Sequence, residues 1–297
     1  MRARFALDSG MRTMTFPRLT IMALACLLGP ALARAQDASA WDKQRNSEAR
    51  LIAGATVKTA NFPHLGAPIE PYLRAGIELQ LDPGWQTYWR YPGDSGVPPT
   101  FDFSGSDNVK SVTVEWPAPQ RFPDGAGGNS IGYTGHVILP LRVFQNDATK
   151  PTALRLKLGY DVCANMCVPA DASLELALSG NGAEDAAIEK AELRVPYRLP
   201  VGPDCCIAVV SAHREPGGAR DRVTVEVAAP QDADLFAEGP TPDWSLPLPE
   251  PAGTDGKLRR FTFDLDGLPP GAVAEGATLI FTLVSPNQAI EVPIHLD

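Results

Sequence analysis

Leu154-Arg155-Leu156-Lys157-Leu158 alternates apolar and charged side chains, and a similar alternation recurs in Ala75 to Leu81 and in Val112 to Trp116. A period of two sends successive side chains to opposite faces of an extended chain, so these segments are predicted as strands with one buried face. Val137 to Phe144 and Leu174 to Leu178 read as further strands. Between them lie the turn clusters Asp82-Pro83-Gly84, Tyr91-Pro92-Gly93-Asp94-Ser95-Gly96 and Asp124-Gly125-Ala126-Gly127-Gly128-Asn129. That cadence predicts an all-β chain built as an antiparallel sandwich. The 26 Gly and 29 Pro among 297 residues supply its turns, and 44% hydrophobic residues suffice for a packed core.

The alternation extends over residues 51–180, and the polar stretch before it, 36–50, is predicted as a mobile leader. Past Leu178 the texture changes. Ser179-Gly180-Asn181-Gly182 opens a break, Ala183 to Leu193 suits one short helix, and Pro196, Pro200 and Pro203 follow. Residues 181–206 therefore read as a linker. Ile207 to Val210, Arg222 to Val227, Arg259 to Leu265, Thr278 to Val284 and Ala289 to Ile294 are again strand-like. They predict a second, smaller β-sandwich over 207–297.

At the N-terminus, Arg12 and Arg18 precede an apolar run from Leu19 to Leu32, followed by Ala33-Arg34-Ala35. This has the three parts of an export signal, residues 1–35, cut before Gln36, and so predicts a protein of the periplasm or the cell exterior. No later segment approaches the ~18 apolar residues of a membrane-spanning helix. The net charge is −9, and the proposed signal is itself basic, so the rest is more acidic still. Nucleic-acid binding, which draws on many Lys and Arg contacts to phosphate, is not expected. Neither is a nucleotide or another cofactor: no P-loop, G-x-G-x-x-G or G-x-S-x-G motif is present, and His64, His136, His213 and His295 lack metal-ligand spacing.

The most informative stretch is Cys163-Ala164-Asn165-Met166-Cys167, where one strand ends and another begins. Four residues of extended chain span ~13 Å, far beyond the ~4.4–6.8 Å between Cα atoms that a disulfide tolerates, so a bonded pair requires Ala164 to Met166 to curl. Three readings stay open. A structural bridge closing so short a ring contributes only ~2 kcal/mol by chain entropy, against ~4.7 for a hundred-residue loop. A redox pair gains from the same shortness, because the second sulfur stays close enough to displace a partner from the first. A non-catalytic Cu(I) module would use Cys163, Met166 and Cys167, the soft ligands that ion prefers. Cys205 and Cys206 are adjacent, a spacing that disfavours a bond between them, and remain unassigned.

The chain resembles the N-terminal periplasmic domain of the thiol:disulfide interchange protein DsbD family, and more closely its ScsB-type branch. The matching motifs are Asp82-Pro83-Gly84-Trp85-Gln86-Thr87-Tyr88-Trp89-Arg90, Pro92 to Pro99, Trp116-Pro117-Ala118-Pro119 with Arg121-Phe122, Ser130-Ile131-Gly132-Tyr133, and Tyr160 to Cys163 with Cys167 to Ala170. The resemblance implies an immunoglobulin-like sandwich that takes electrons from a membrane thiol:disulfide reductase and passes them to oxidised thioredoxin-like periplasmic proteins. It associates that chemistry with copper tolerance or cytochrome c maturation. It implies Cys167 as the exposed sulfur that forms mixed disulfides and Cys163 as its resolving partner. Phe122 falls near the family's shielding cap loop and Tyr88 in its aromatic turn. The better-known members separate their cysteines by five residues rather than three. A negative charge from Asp161 or Asp124 beside a thiol would disfavour the thiolate and restrain its reactivity, although sequence alone does not put either acid next to a cysteine.

Overall fold

The strand β10 (Thr152–Cys163) shows most simply how the sequence makes this fold. In the computed structural model, Thr152–Cys163 is a strand whose Leu154, Leu156, Leu158, Tyr160 and Val162 are buried while the residues between them are not. Each such side chain withdrawn from water contributes roughly 1.5–3 kcal/mol, which fixes the register, because a one-residue slip would expose the whole set. The structure describes residues 37–58, 70–124, 127–202, 207–217 and 220–297. These described residues form one compact unit.

The first sandwich has eleven described strands: β1 (Asp42–Gln44), β2 (Ser47–Val57), β3 (Tyr72–Leu81), β4 (Gln86–Gly93), β5 (Thr100–Asp102), β6 (Val109–Val114), β7 (Gln120–Pro123), β8 (Asn129–Thr134), β9 (His136–Gln145), β10 and β11 (Cys167–Leu178). One sheet runs β1-β2-β3-β9-β6; the other runs β11-β10-β4-β8-β7, with β5 also paired to β10. All of these pairings are antiparallel. The two sheets close on one core that includes Leu51, Ile77, Leu141, Leu156 and Trp89.

A helix, α1 (Asp185–Glu192), follows and packs Ile188 and Ala191 against Ile52 and Ile138. It has no side-chain cap at Glu184. Asp185 instead ties it to the sheet, accepting from the Ala55 N–H at 2.7 Å and from Arg74 at 2.9 Å. The second sandwich comprises β12 (Tyr197–Arg198), β13 (Ala208–Glu215), β14 (Arg222–Ala228), β15 (Asp234–Glu238), β16 (Glu250–Asp255), β17 (Leu258–Asp264), β18 (Thr278–Val284) and β19 (Ala289–His295). Its sheets, β12-β19-β18-β15 and β13-β14-β17-β16, enclose Val225, Phe261 and Phe281. Among the described residues no helix is long and apolar enough to cross a membrane.

The structure corrects two sequence expectations. Residues 36–50 are not a mobile leader throughout, since β1 and the start of β2 lie within them. The polarity of that stretch hides an alternation in which Ser47, Ala49 and Leu51 point inward. Ser47 is tolerated there because its hydroxyl meets the Tyr160 hydroxyl at 2.9 Å, and Arg50 is held by Glu78 at 2.5 Å beneath the Trp41 ring. The turn expected from Tyr91 also begins later, because β4 continues to Gly93. Residues 1–36, and with them the expected signal, lie outside the described residues, as do Cys205 and Cys206.

Candidate functional site

Cys163 ends β10 and Cys167 begins β11, and the two are register partners across the hairpin. Ala164, Asn165 and Met166 form its three-residue loop, closed by a hydrogen bond from the Ala164 N–H to the Met166 carbonyl at 3.1 Å. The curl needed to bring the cysteines together is thus a tight turn between long strands. Their Cα atoms are 4.1 Å apart and the sulfurs are bonded.

The two cysteines differ sharply in access. Cys163 is 2% exposed, whereas Cys167 and the three loop residues are exposed, Met166 at 66%. Of the two sulfurs, the Cys167 sulfur is the one open to an incoming thiolate, and attack there would make Cys163 the leaving group. In this bonded state the pair offers no thiolate ligands, so the Cu(I) set Cys163, Met166, Cys167 would require prior reduction.

Cys163 pairs with Gln86 on β4, and Tyr88 stands two residues along the same strand and on the same face. Its hydroxyl lies 3.0 Å from the Cys163 sulfur and 3.3 Å from the Cys167 sulfur. Burial pushes the Tyr88 pKa up; a hydrogen bond with Ser130 opposes this, and the charges of Asp161 and Asp124 add to the rise. Tyr88 thus keeps its proton at neutral pH and can donate to whichever sulfur carries charge. The hydroxyls continue outward: the Ser130 and Ser95 oxygens are 3.2 Å apart, and Ser95 donates to Asp124 at 3.2 Å.

A backbone turn covers the ring. Gly96, at φ 120°, lies so close to Tyr88 that a Cβ there would come within 2.4 Å of the ring, so only glycine permits this approach. Phe122 sits one strand beyond β8, on β7, as the register partner of Ser130. Of the neighbouring aromatics, Trp89 is fully buried in the core and Trp85 packs against it. The Tyr88 contact itself was not derivable from sequence patterning alone, because Trp85, Tyr88 and Trp89 look alike there. What separates them is strand parity: Tyr88 shares the outer face with Gln86, while Trp89 turns inward.

A thiolate left at buried Cys163 would be costly without a donor, and the Tyr88 hydroxyl at 3.0 Å is placed to supply one. Tyr88→Phe keeps the ring and removes only the hydroxyl. It is expected to slow reduction of the disulfide by dithiothreitol about tenfold or more, the scale of one hydrogen bond to a charged group. Stopped-flow reduction kinetics check this, and an unchanged rate would show that the hydroxyl does not assist the leaving sulfur.

Residues 69–179 match the family model described as thiol:disulfide interchange protein DsbD, N-terminal. Among solved structures, the N-terminal periplasmic domain of ScsB from Proteus mirabilis is similar, with a TM-score of 0.66 and 20% sequence identity. The similarity covers 88% of this chain and 99% of that one, so it takes in more than the first sandwich. At that identity the likeness is one of fold. No curated protein matches the chain.

Proposed function

Because residues 69–179 belong to the DsbD N-terminal family of thiol:disulfide interchange proteins, we propose that the chain is a periplasmic electron relay whose working pair is Cys167 and Cys163. In this reading residues 1–35 are the export signal, a membrane thiol:disulfide reductase is the electron donor, and oxidised thioredoxin-like periplasmic proteins are the acceptors. Copper tolerance and cytochrome c maturation are the pathways such a relay would serve. The observation that carries the reading is the asymmetric disulfide, with one sulfur exposed, the other buried, and the Tyr88 hydroxyl on both.

The exchange balances without any cofactor. A donor thiolate attacks the Cys167 sulfur, forming a mixed disulfide and releasing Cys163 as a thiolate that accepts the Tyr88 hydrogen bond. A second donor thiolate then displaces Cys167, completing a two-electron reduction, and both thiolates take protons from solvent. Delivery reverses the order: the Cys167 thiolate attacks an acceptor disulfide, and Cys163 resolves the mixed species. The curled hairpin keeps Cys163 adjacent, so resolution is intramolecular and fast.

The test is transfer. The reduced protein, incubated with an oxidised thioredoxin-like protein, should lose two thiols per molecule as the acceptor gains two, counted by alkylation and mass spectrometry. Retention of both thiols with every such acceptor would leave a structural bridge as the better account.

A further inference from the structure

Between Tyr88 and Gly93, β4 leaves the ladder. Its pairing with β8 runs Gln86 to Thr134, Thr87 to Tyr133 and Tyr88 to Gly132, then resumes only at Gly93 with Ser130. On its other side β4 pairs with β10 through Thr87 and Gln86 alone. The stretch from Trp89 to Pro92, immediately beyond the residue that touches both sulfurs, thus has no register partner on either neighbouring strand.

The second sandwich holds that stretch instead. Arg90, two residues beyond Tyr88, donates to Glu238 of β15 through Nε at 2.8 Å and Nη2 at 2.7 Å, and also pairs with Glu291 of β19. Its guanidinium lies 4.3 Å over the Trp89 ring, and the Trp89 ring itself meets Phe236 of β15 with centroids 6.1 Å apart. Tyr91 donates to the Leu246 carbonyl. A second tether falls on β7: Arg121 donates to both Asp234 oxygens at 2.9 Å, to Glu250 at 2.7 Å and to the Pro249 carbonyl at 2.9 Å. Its neighbour Phe122 is the register partner of Ser130, whose hydroxyl lies 3.2 Å from that of Ser95.

We propose that the second sandwich is a positioning module for the disulfide: through Arg90, gripped by Glu238 and Glu291, it fixes the unladdered stretch of β4 and thereby keeps the Tyr88 hydroxyl on the two sulfurs. Arg90 touches neither sulfur and is a positioning residue acting through Tyr88. The bidentate fork matters because a guanidinium held at three points sets an orientation, which a single ammonium contact does not. The inference deepens the exchange reading by giving the second sandwich a part in it. It is tested with a small thiol, so it stands or falls separately from the identity of any protein partner.

The experiment is a double-mutant cycle on the full chain. Dithiothreitol reduction of the disulfide is timed in the wild type, Arg90→Lys, Glu291→Gln, Tyr88→Phe and the two doubles with Tyr88→Phe. Glu291→Gln leaves Glu238 in place and so serves if Arg90→Lys does not fold. Arg90→Lys or Glu291→Gln is expected to slow reduction about fivefold when Tyr88 is present, and to add nothing in the Tyr88→Phe background. The pH at which Cys163 of the reduced protein is half-alkylated should rise in the single variants, as it does in Tyr88→Phe, since the same donor is lost. Folded variants that reduce at the wild-type rate, or that slow equally with and without the Tyr88 hydroxyl, would overturn the proposal.

Discussion

A Cys163→Ser variant is expected to accumulate a stable mixed disulfide at Cys167 when exposed to an oxidised peptide, whereas Cys167→Ser should accumulate almost none at Cys163. The difference is one of access. Cys163 is 2% exposed and lies beneath Tyr88, which is itself covered by the turn at Gly96. Reaction there needs a local opening, and one costing about 3 kcal/mol slows attack roughly a hundredfold. In Cys163→Ser the resolving sulfur is gone, so the adduct at Cys167 persists. Intact-mass measurement over time separates the two variants, and equal labelling of both would contradict the assigned roles.

Arg90→Leu is expected to cost about 3 kcal/mol of stability, because it strands Glu238 and Glu291, whose side chains are only 15% and 19% exposed. The figure is taken at the low end of the range for broken buried pairs because Arg90 itself keeps 26% exposure. For a chain of this size that corresponds to a fall of roughly 6–12 °C in Tm. Lys43→Ala is the control: Lys43 pairs with Glu48 but is 77% exposed, and no measurable change is expected there. Thermal melts of both variants make the comparison, and a Tm for Arg90→Leu within a degree of the wild type would show that the interface ion pairs contribute nothing.

Much of the architecture was legible because half-buried strands carry period two openly. Thr278–Val284 has the bounds that the alternation gives, and Leu154 to Leu158 lies inside β10 with its leucines inward. β2 was missed at its start because its inward positions include Ser47 and Ala49, which no hydrophobicity pattern marks as buried. The short helix after Leu178 was visible in Ala183 to Leu193, but its attachment was not, since Asp185 reaches Arg74 and Ala55 across more than a hundred residues. At the site, the cysteine spacing required a curl of Ala164 to Met166 for a bonded pair, and the bonded hairpin has one. The partnership of Tyr88 with the sulfurs depends instead on which strand lies beside β10, and that is a property of topology. The grip on Arg90 was equally hidden: Glu238 and Glu291 are single acids in separate strands of another sandwich, brought together only by its packing.

The reduction potential of the Cys163–Cys167 pair tests the exchange account most directly. The protein is equilibrated in glutathione buffers, and more reducing thiol buffers where needed. Free thiols are then alkylated, and the modified cysteines located by peptide mass mapping. The account predicts that Cys163 and Cys167 titrate together between roughly −180 and −270 mV, the range of proteins that exchange disulfides. A pair that stays bonded well below about −300 mV would be a structural bridge, and the relay would be contradicted.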